Sequence, residues 1–185
     1  MTQETLLNSI KSTDTIMNIF MENQNRFLPI LDFAENILRE ESFLSPADRE
    51  FIAAFTSSLN QCKFCTGSHK VFAESVGANS KELNDAIDGN YQDNRLKPIL
   101  DYVKKLTMSP SSLTKSDVDN VIDAGFSENE LKDAIVVCAA FNFFNRIVEG
   151  HGIQENSQTW NESSEMILEF GYNRKKKTKE KGETE

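Results

Sequence analysis

Hydrophobic residues recur along most of this chain at intervals of three and four, the spacing of one helix face. Leu6, Leu7, Ile10, Ile16, Met17, Ile19 and Phe20 predict a loosely amphipathic helix over 4–22. Phe27, Ile30, Leu31, Phe33, Ala34, Ile37 and Leu38 predict a second, with Pro29 early enough to be tolerated in its first turn. Ser45-Pro46-Ala47-Asp48 is a helix start, with a capping serine, proline at the first helical position and an acid in the first turn. The helix it opens carries Ile52, Ala53, Phe55 and Leu59, and Asn60 either ends it or caps the next one. That next helix is expected from about Gln61 to Val76, stopping at Gly77, a natural left-handed terminator. Shorter helices are predicted over 80–88 and 96–106, the latter with Pro98 near its start. Thr114 to Asp117 looks like the cap of another, ending near Gly125. Ser127 and Glu130 form a capping box ahead of the most apolar stretch, Ala134 to Val148. Apolar on nearly every side, helix 131–148 is expected at the centre of the fold or buried between subunits. Trp160, Met166, Ile167, Leu168 and Phe170 predict one last packed helix.

Composition supports an all-α reading. The 8 Gly and 4 Pro are thin punctuation for a protein of many strands and turns, and the 13 Phe suggest an aromatic interior. A chain of 185 residues can bury a sizeable core as one domain. With no internal repeat and no interdomain linker, a single domain is expected over 1–173. Residues 174–185 are expected to form a disordered, lysine-rich tail, to which no function is attached. The net charge is −9, and that tail carries six Lys or Arg against three Glu, so the rest of the chain holds −12. Such a surface repels phosphate backbones, which argues against a nucleic-acid partner. The N-terminus lacks a charged start followed by an apolar run, and no apolar stretch approaches the ~20 residues that cross a bilayer. The expectation is a cytoplasmic protein without a membrane partner. In that compartment a Cys-x-x-Cys pair is catalytic or metal-binding more often than a structural staple.

The candidate chemistry gathers in residues 50–69, which hold two of the three cysteines and one of the two histidines. Suppose the helix opened at Pro46 turns around residues 59–60 and the next returns antiparallel. Glu50 and His69 then stand equally far from the turn, each about 14 Å away at ~1.5 Å rise per residue. Cys65 lies one helical turn nearer, on the face of His69, and Cys62 lies at the helix start. A continuous helix would put Glu50 roughly 18 Å from Cys62, too far for a relay. In the folded-back arrangement a carboxylate orients the imidazole and raises its basicity. The imidazole takes the Cys65 proton directly or through a water, and the helix N-terminus favours the thiolate. A hydroperoxide would convert that thiolate to a sulfenic acid. Cys62 would condense with it to a disulfide, and an external dithiol would reset the pair. Two other readings stand beside this one. The thiols could be ordinary buried cysteines, or both could join His69 and Glu50 around a metal, although structural zinc usually draws on two separated ligand pairs. Neither metal nor cofactor is expected. Cys138 reads as a core residue and His151, between Gly150 and Gly152, as a loop residue. Arg146 is expected to pair with an acid at a helix end or subunit contact.

The pattern Glu-x(11)-Cys-x-x-Cys-x(3)-His, made by Glu50, Cys62, Cys65 and His69, resembles the AhpD-like alkylhydroperoxidases of the carboxymuconolactone decarboxylase superfamily. The run Phe141 to Ile147 is similar to the segment that closes the family's domain, and the resemblance spans about 28–150. It implies an AhpD-like helical domain whose helical hairpin bears the Cys-x-x-Cys, assembled as a trimer or hexamer with the site near subunit contacts. It also implies that Cys65 forms the sulfenic acid, that Cys62 is its partner and proton donor, and that Glu50 and His69 relay the proton. The expected partners are a hydroperoxide substrate and a lipoyl or thioredoxin-like dithiol reductant. Phe64 departs from the well-studied peroxidases, which carry a second histidine there; many peroxidase-related relatives have an aromatic instead. The lactone-decarboxylating branch lacks the paired cysteines. The expected function is thus a thiol-dependent peroxidase in antioxidant defence. The alternatives are a non-enzymatic thiol sensor or assembly protein, and an acid/base enzyme that uses Glu50 and His69 on a small carbonyl or lactone.

Overall fold

Polar caps set most helix starts in this chain, and the apolar stripes behind them set which faces meet. The structure, a computed structural model, describes residues 6–92, 94–155, 157 and 160–173; the lysine-rich segment 174–185 lies outside them. The described residues form nine α-helices and no strand. These are α1 (Ile16–Glu22), α2 (Gln24–Arg39), α3 (Pro46–Leu59), α4 (Lys63–Ser75), α5 (Ser80–Ile87), α6 (Lys97–Met108), α7 (Lys115–Asp123), α8 (Glu128–His151) and α9 (Trp160–Phe170).

The N-terminal helix is shorter than its hydrophobic pattern predicts. Lys11 donates its backbone N–H to Asp14 Oδ2 at 2.8 Å, and Thr15 forms a capping box with Asn18. This run of short polar side chains offers the backbone local partners that compete with a helical ladder, so α1 starts only at Ile16. α2 follows after the single residue Asn23, whose side chain accepts from the Arg26 N–H at 3.2 Å. Because α2 begins earlier than expected, Pro29 is its sixth residue and lies inside the helix, where one ladder hydrogen bond is missing. The C-terminal half of the chain follows its caps closely. Ser127 and Glu130 form the capping box of α8, and Thr114 and Asp117 that of α7.

α3 is the centre of the molecule. Ile52, Ala53, Ala54 and Phe55 are fully enclosed, and the small alanines let neighbouring backbones come close. α4 packs along one side of α3, with α8 and α6 on others. α8 sends Ala134, Val137, Phe141 and Val148 into the common core. Full burial of a side chain the size of Val or Phe contributes about 1.5–3 kcal/mol. Yet α8 is not enclosed on every side within one chain: Val136, Ala139 and Phe143 face outward along one stripe.

Candidate functional site

Ser45 Oγ accepts from the Asp48 N–H at 3.1 Å and starts α3, the helix that carries Glu50. At its other end Asn60 is the C-cap, Gln61 adopts a left-handed φ of +58°, and Cys62 becomes the N-cap of α4. The chain therefore folds back over residues 60–62, and α4 begins two residues later than expected. Polar side chains of α8 hold this turn. Asn60 Nδ2 donates to Asn142 Oδ1 at 3.1 Å and to Asn145 Oδ1 at 2.9 Å, while Asn145 Nδ2 donates to Ser57 Oγ at 3.0 Å.

The fold-back brings Glu50 and His69 together. His69 Nδ1 lies 2.7 Å from Glu50 Oε2. The other carboxylate oxygen, Oε1, is 3.0 Å from Arg39 Nη2 and accepts from the Tyr172 hydroxyl at 2.8 Å. Glu50 is wholly enclosed, and a buried carboxylate keeps its charge only when paired and hydrogen-bonded in this way. With Nδ1–H given to the carboxylate, a neutral His69 has Nε2 as its acceptor. Aromatic rings fix the imidazole plane: Phe141 meets it edge-on with centroids 4.4 Å apart, and Phe72 does so at 5.1 Å.

All three cysteines are free thiols. Cys65 is the third residue of α4 and, with His69, lines a cavity of about 130 Å³. The rest of that lining is largely apolar, from α1 (Ile16, Met17, Phe20), α2 (Leu31, Leu38), α8 (Phe141, Phe144) and α9 (Trp160, Ile167), with Ser68 and Tyr172 adding polar groups. Cys62 is fully buried outside this lining. Hydrogen bonding with Cys65 and then burial push its thiol far above the ordinary range, so at neutral pH it is protonated.

The other residues singled out from sequence have structural surroundings. Cys138 is buried with its sulfur 3.3 Å from Thr107 Oγ1. His151 is the last residue of α8 rather than a loop residue, with Nδ1 2.7 Å from the Ile147 carbonyl, away from the cavity. Within the chain Arg146 turns back onto its own helix and donates to the Asn142 carbonyl at 2.6 Å, with no acid paired to it among the described residues. Among the described residues no group of three or more His, Cys, Asp or Glu side chains is gathered to hold a metal ion. None of the described helices is long and apolar enough to cross a membrane. Arg39, Tyr172 and Asn145 did not emerge as functional candidates from sequence. The motif Phe141 to Ile147 drew notice to Asn145, but nothing in it marks a partner in the turn.

Residues 29–93, which include α3, α4 and all four residues of the Glu–Cys–Cys–His pattern, match the model of the Carboxymuconolactone decarboxylase family. In three dimensions the chain is similar to the crystal structure of an uncharacterized peroxidase-related protein from Silicibacter sp. TM1040. The TM-score is 0.70 at 21% identity, covering 77% of this chain and 76% of that one. It is likewise similar to an uncharacterized peroxidase-related protein from Ralstonia eutropha JMP134, described as an alkylhydroperoxidase AhpD core. There the TM-score is 0.72 at 18% identity, covering 78% of each chain. No curated protein sequence matches significantly. The all-α fold is the AhpD-like one. Residues 29–93 are thus similar to the Carboxymuconolactone decarboxylase family, in a chain whose fold is that of the two peroxidase-related structures.

Proposed function

We propose that the protein is a thiol-dependent peroxidase that reduces hydroperoxides through Cys65 and Cys62. One observation carries this reading: His69 takes Glu50 at 2.7 Å on one ring nitrogen and shares an apolar cavity with Cys65. The Glu50–His69 pair accepts the Cys65 proton. The thiolate attacks the outer peroxide oxygen, the O–O bond breaks, and the alcohol leaves with a proton returned from His69 or from the protonated Cys62 thiol. Sulfur is oxidised by two electrons and the peroxide is reduced by two. Cys62 then displaces hydroxide from the sulfenic acid, forming a 62–65 disulfide and water. An external dithiol, of lipoyl or thioredoxin type, restores both thiols by exchange and is itself oxidised to a disulfide.

Support also comes from the surroundings of the two sulfurs. Cys65 lines the cavity, whereas Cys62 lies outside that lining and is protonated at the start, as a proton donor to the leaving alcohol requires; giving up that proton leaves Cys62 as the thiolate that attacks the sulfenic acid. The peroxidase-related descriptions of the structural neighbours agree in kind. We further propose that the chain self-associates through the outward stripe of α8, where Val136 is 41% and Phe143 44% exposed. The test is a turnover assay with cumene hydroperoxide, with dihydrolipoamide and thioredoxin offered in parallel. Many equivalents of peroxide consumed per chain, lost on Cys65→Ser, are expected. Consumption that stops at one equivalent would make the protein a sensor, and turnover surviving Cys65→Ser would end the thiol mechanism.

A further inference from the structure

The two oxygens of Glu50 have different partners, and one of them, Tyr172, comes from outside the segment that matches the family. Oε2 faces His69; Oε1 receives Arg39 from α2 and the hydroxyl of Tyr172, which follows α9. The Arg39 guanidinium lies over the Tyr172 ring, 5.6 Å from its centroid, so this one side chain touches both the carboxylate and the carboxylate's cation. The ring also runs parallel to His69, at 12° with centroids 6.4 Å apart.

Tyr172 is held there by a built latch. Gly171 has φ +73°, and a Cβ on it would stand 2.5 Å from Glu35 Oε2. That same oxygen accepts the Tyr172 backbone N–H at 2.6 Å, and Asn173 Nδ2 donates to Asp32 Oδ1 at 3.0 Å. Consecutive residues are thereby fastened to α2, which aims the phenol at Glu50. Burial and the Glu50 charge push the phenol well above its ordinary range, so its hydroxyl remains a donor.

We propose that Tyr172 is a positioning residue of the proton relay: its hydroxyl holds Glu50 Oε1 and, by donating to it, tempers the charge that Oε2 brings to His69. The inference rests on the peroxidase reading for its purpose, not for its measurement. Around the pair, Glu50 of α3 meets Arg39 of α2 and Tyr172, His69 shares its cavity with Cys65 of α4, and Glu35 of α2 holds the Tyr172 backbone; α8 and α9 bring to the cavity Phe141 and Trp160, which do not titrate. A carboxylate stripped of a hydrogen-bond donor holds its charge more fully against an imidazolium.

The experiment is an NMR pH titration of the His69 ring in the full chain, wild type against Tyr172→Phe. The chain has two histidines, so a His151→Gln variant assigns the signals. The His69 midpoint is expected to rise by about one pH unit in Tyr172→Phe. Gly171→Val, which displaces the same side chain without changing its chemistry, should reproduce the rise. A merely structural role would lower the melting temperature and leave the midpoint in place. An unmoved midpoint in whichever variant folds overturns the proposal, and failure of both variants to fold would make Tyr172 a folding residue and overturn it equally. Absence of peroxide turnover in the wild type would instead remove the peroxidase reading and leave the His69 result standing.

Discussion

Cys62 and Cys65 share one turn of α4 yet meet different surroundings. Cys65 opens onto the cavity beside His69, whereas Cys62 caps the helix and is wholly enclosed. The asymmetry predicts different outcomes for two similar substitutions. Cys62→Ser should still react once with peroxide and then stall, leaving a Cys65 sulfenic acid that a dimedone adduct reveals by mass spectrometry; Cys65→Ser should show no adduct. The Glu50–His69 contact was legible in the sequence because equal distances from a helical turn are a matter of counting. The Arg39 and Tyr172 contacts were not. Tyr172 lies 122 residues from Glu50, and no periodicity links a residue after the last helix to a carboxylate in the third.

At the scale of helices, the turn of the α3–α4 hairpin is braced by asparagines of α8. Gln61 occupies a left-handed conformation that few side chains favour, so the turn draws on contacts from α8. Asn145→Ala should remove one partner each from Asn60 and Ser57, which keep Asn142 and the Ala53 carbonyl respectively, and cost about 1 kcal/mol in urea unfolding. α9 docks through Trp160, whose ring lies where a Cβ on Gly67 would be, 1.9 Å from that position. Gly67→Ala should therefore push the indole off α4. Since the chain has one tryptophan, a red-shifted emission spectrum would report it directly. Helix starts marked by Ser-Pro or by a capping box were readable, because the cap is a local hydrogen bond between named residue types. The start of α1 was not, because the apolar positions from Leu6 continue past a polar run whose side chains bond locally instead.

For the molecule as a whole, two expectations follow from burial. The outward stripe of α8 predicts that the wild type sediments as a multiple of its 20.9 kDa chain and that Phe143→Asp yields monomers. The second concerns alkaline stability. Cys62, Cys138 and Tyr172 are all pushed above their ordinary values of 9.0, 9.0 and 10.0, so the folded chain retains protons that the unfolded chain releases. Their contribution is fully present below those values and falls as pH rises through them. Melting temperature should therefore decline from about pH 9 upward, and Cys62→Ser should make that decline shallower. The chamber beside Cys65 is lined from separate parts of the chain: Cys65 and His69 lie in the family-matched segment, while α1, α8 and α9 add side chains from outside it. Under the proposed peroxidase function, reshaping α1 and α9 should change which peroxides are preferred without touching a single sulfur.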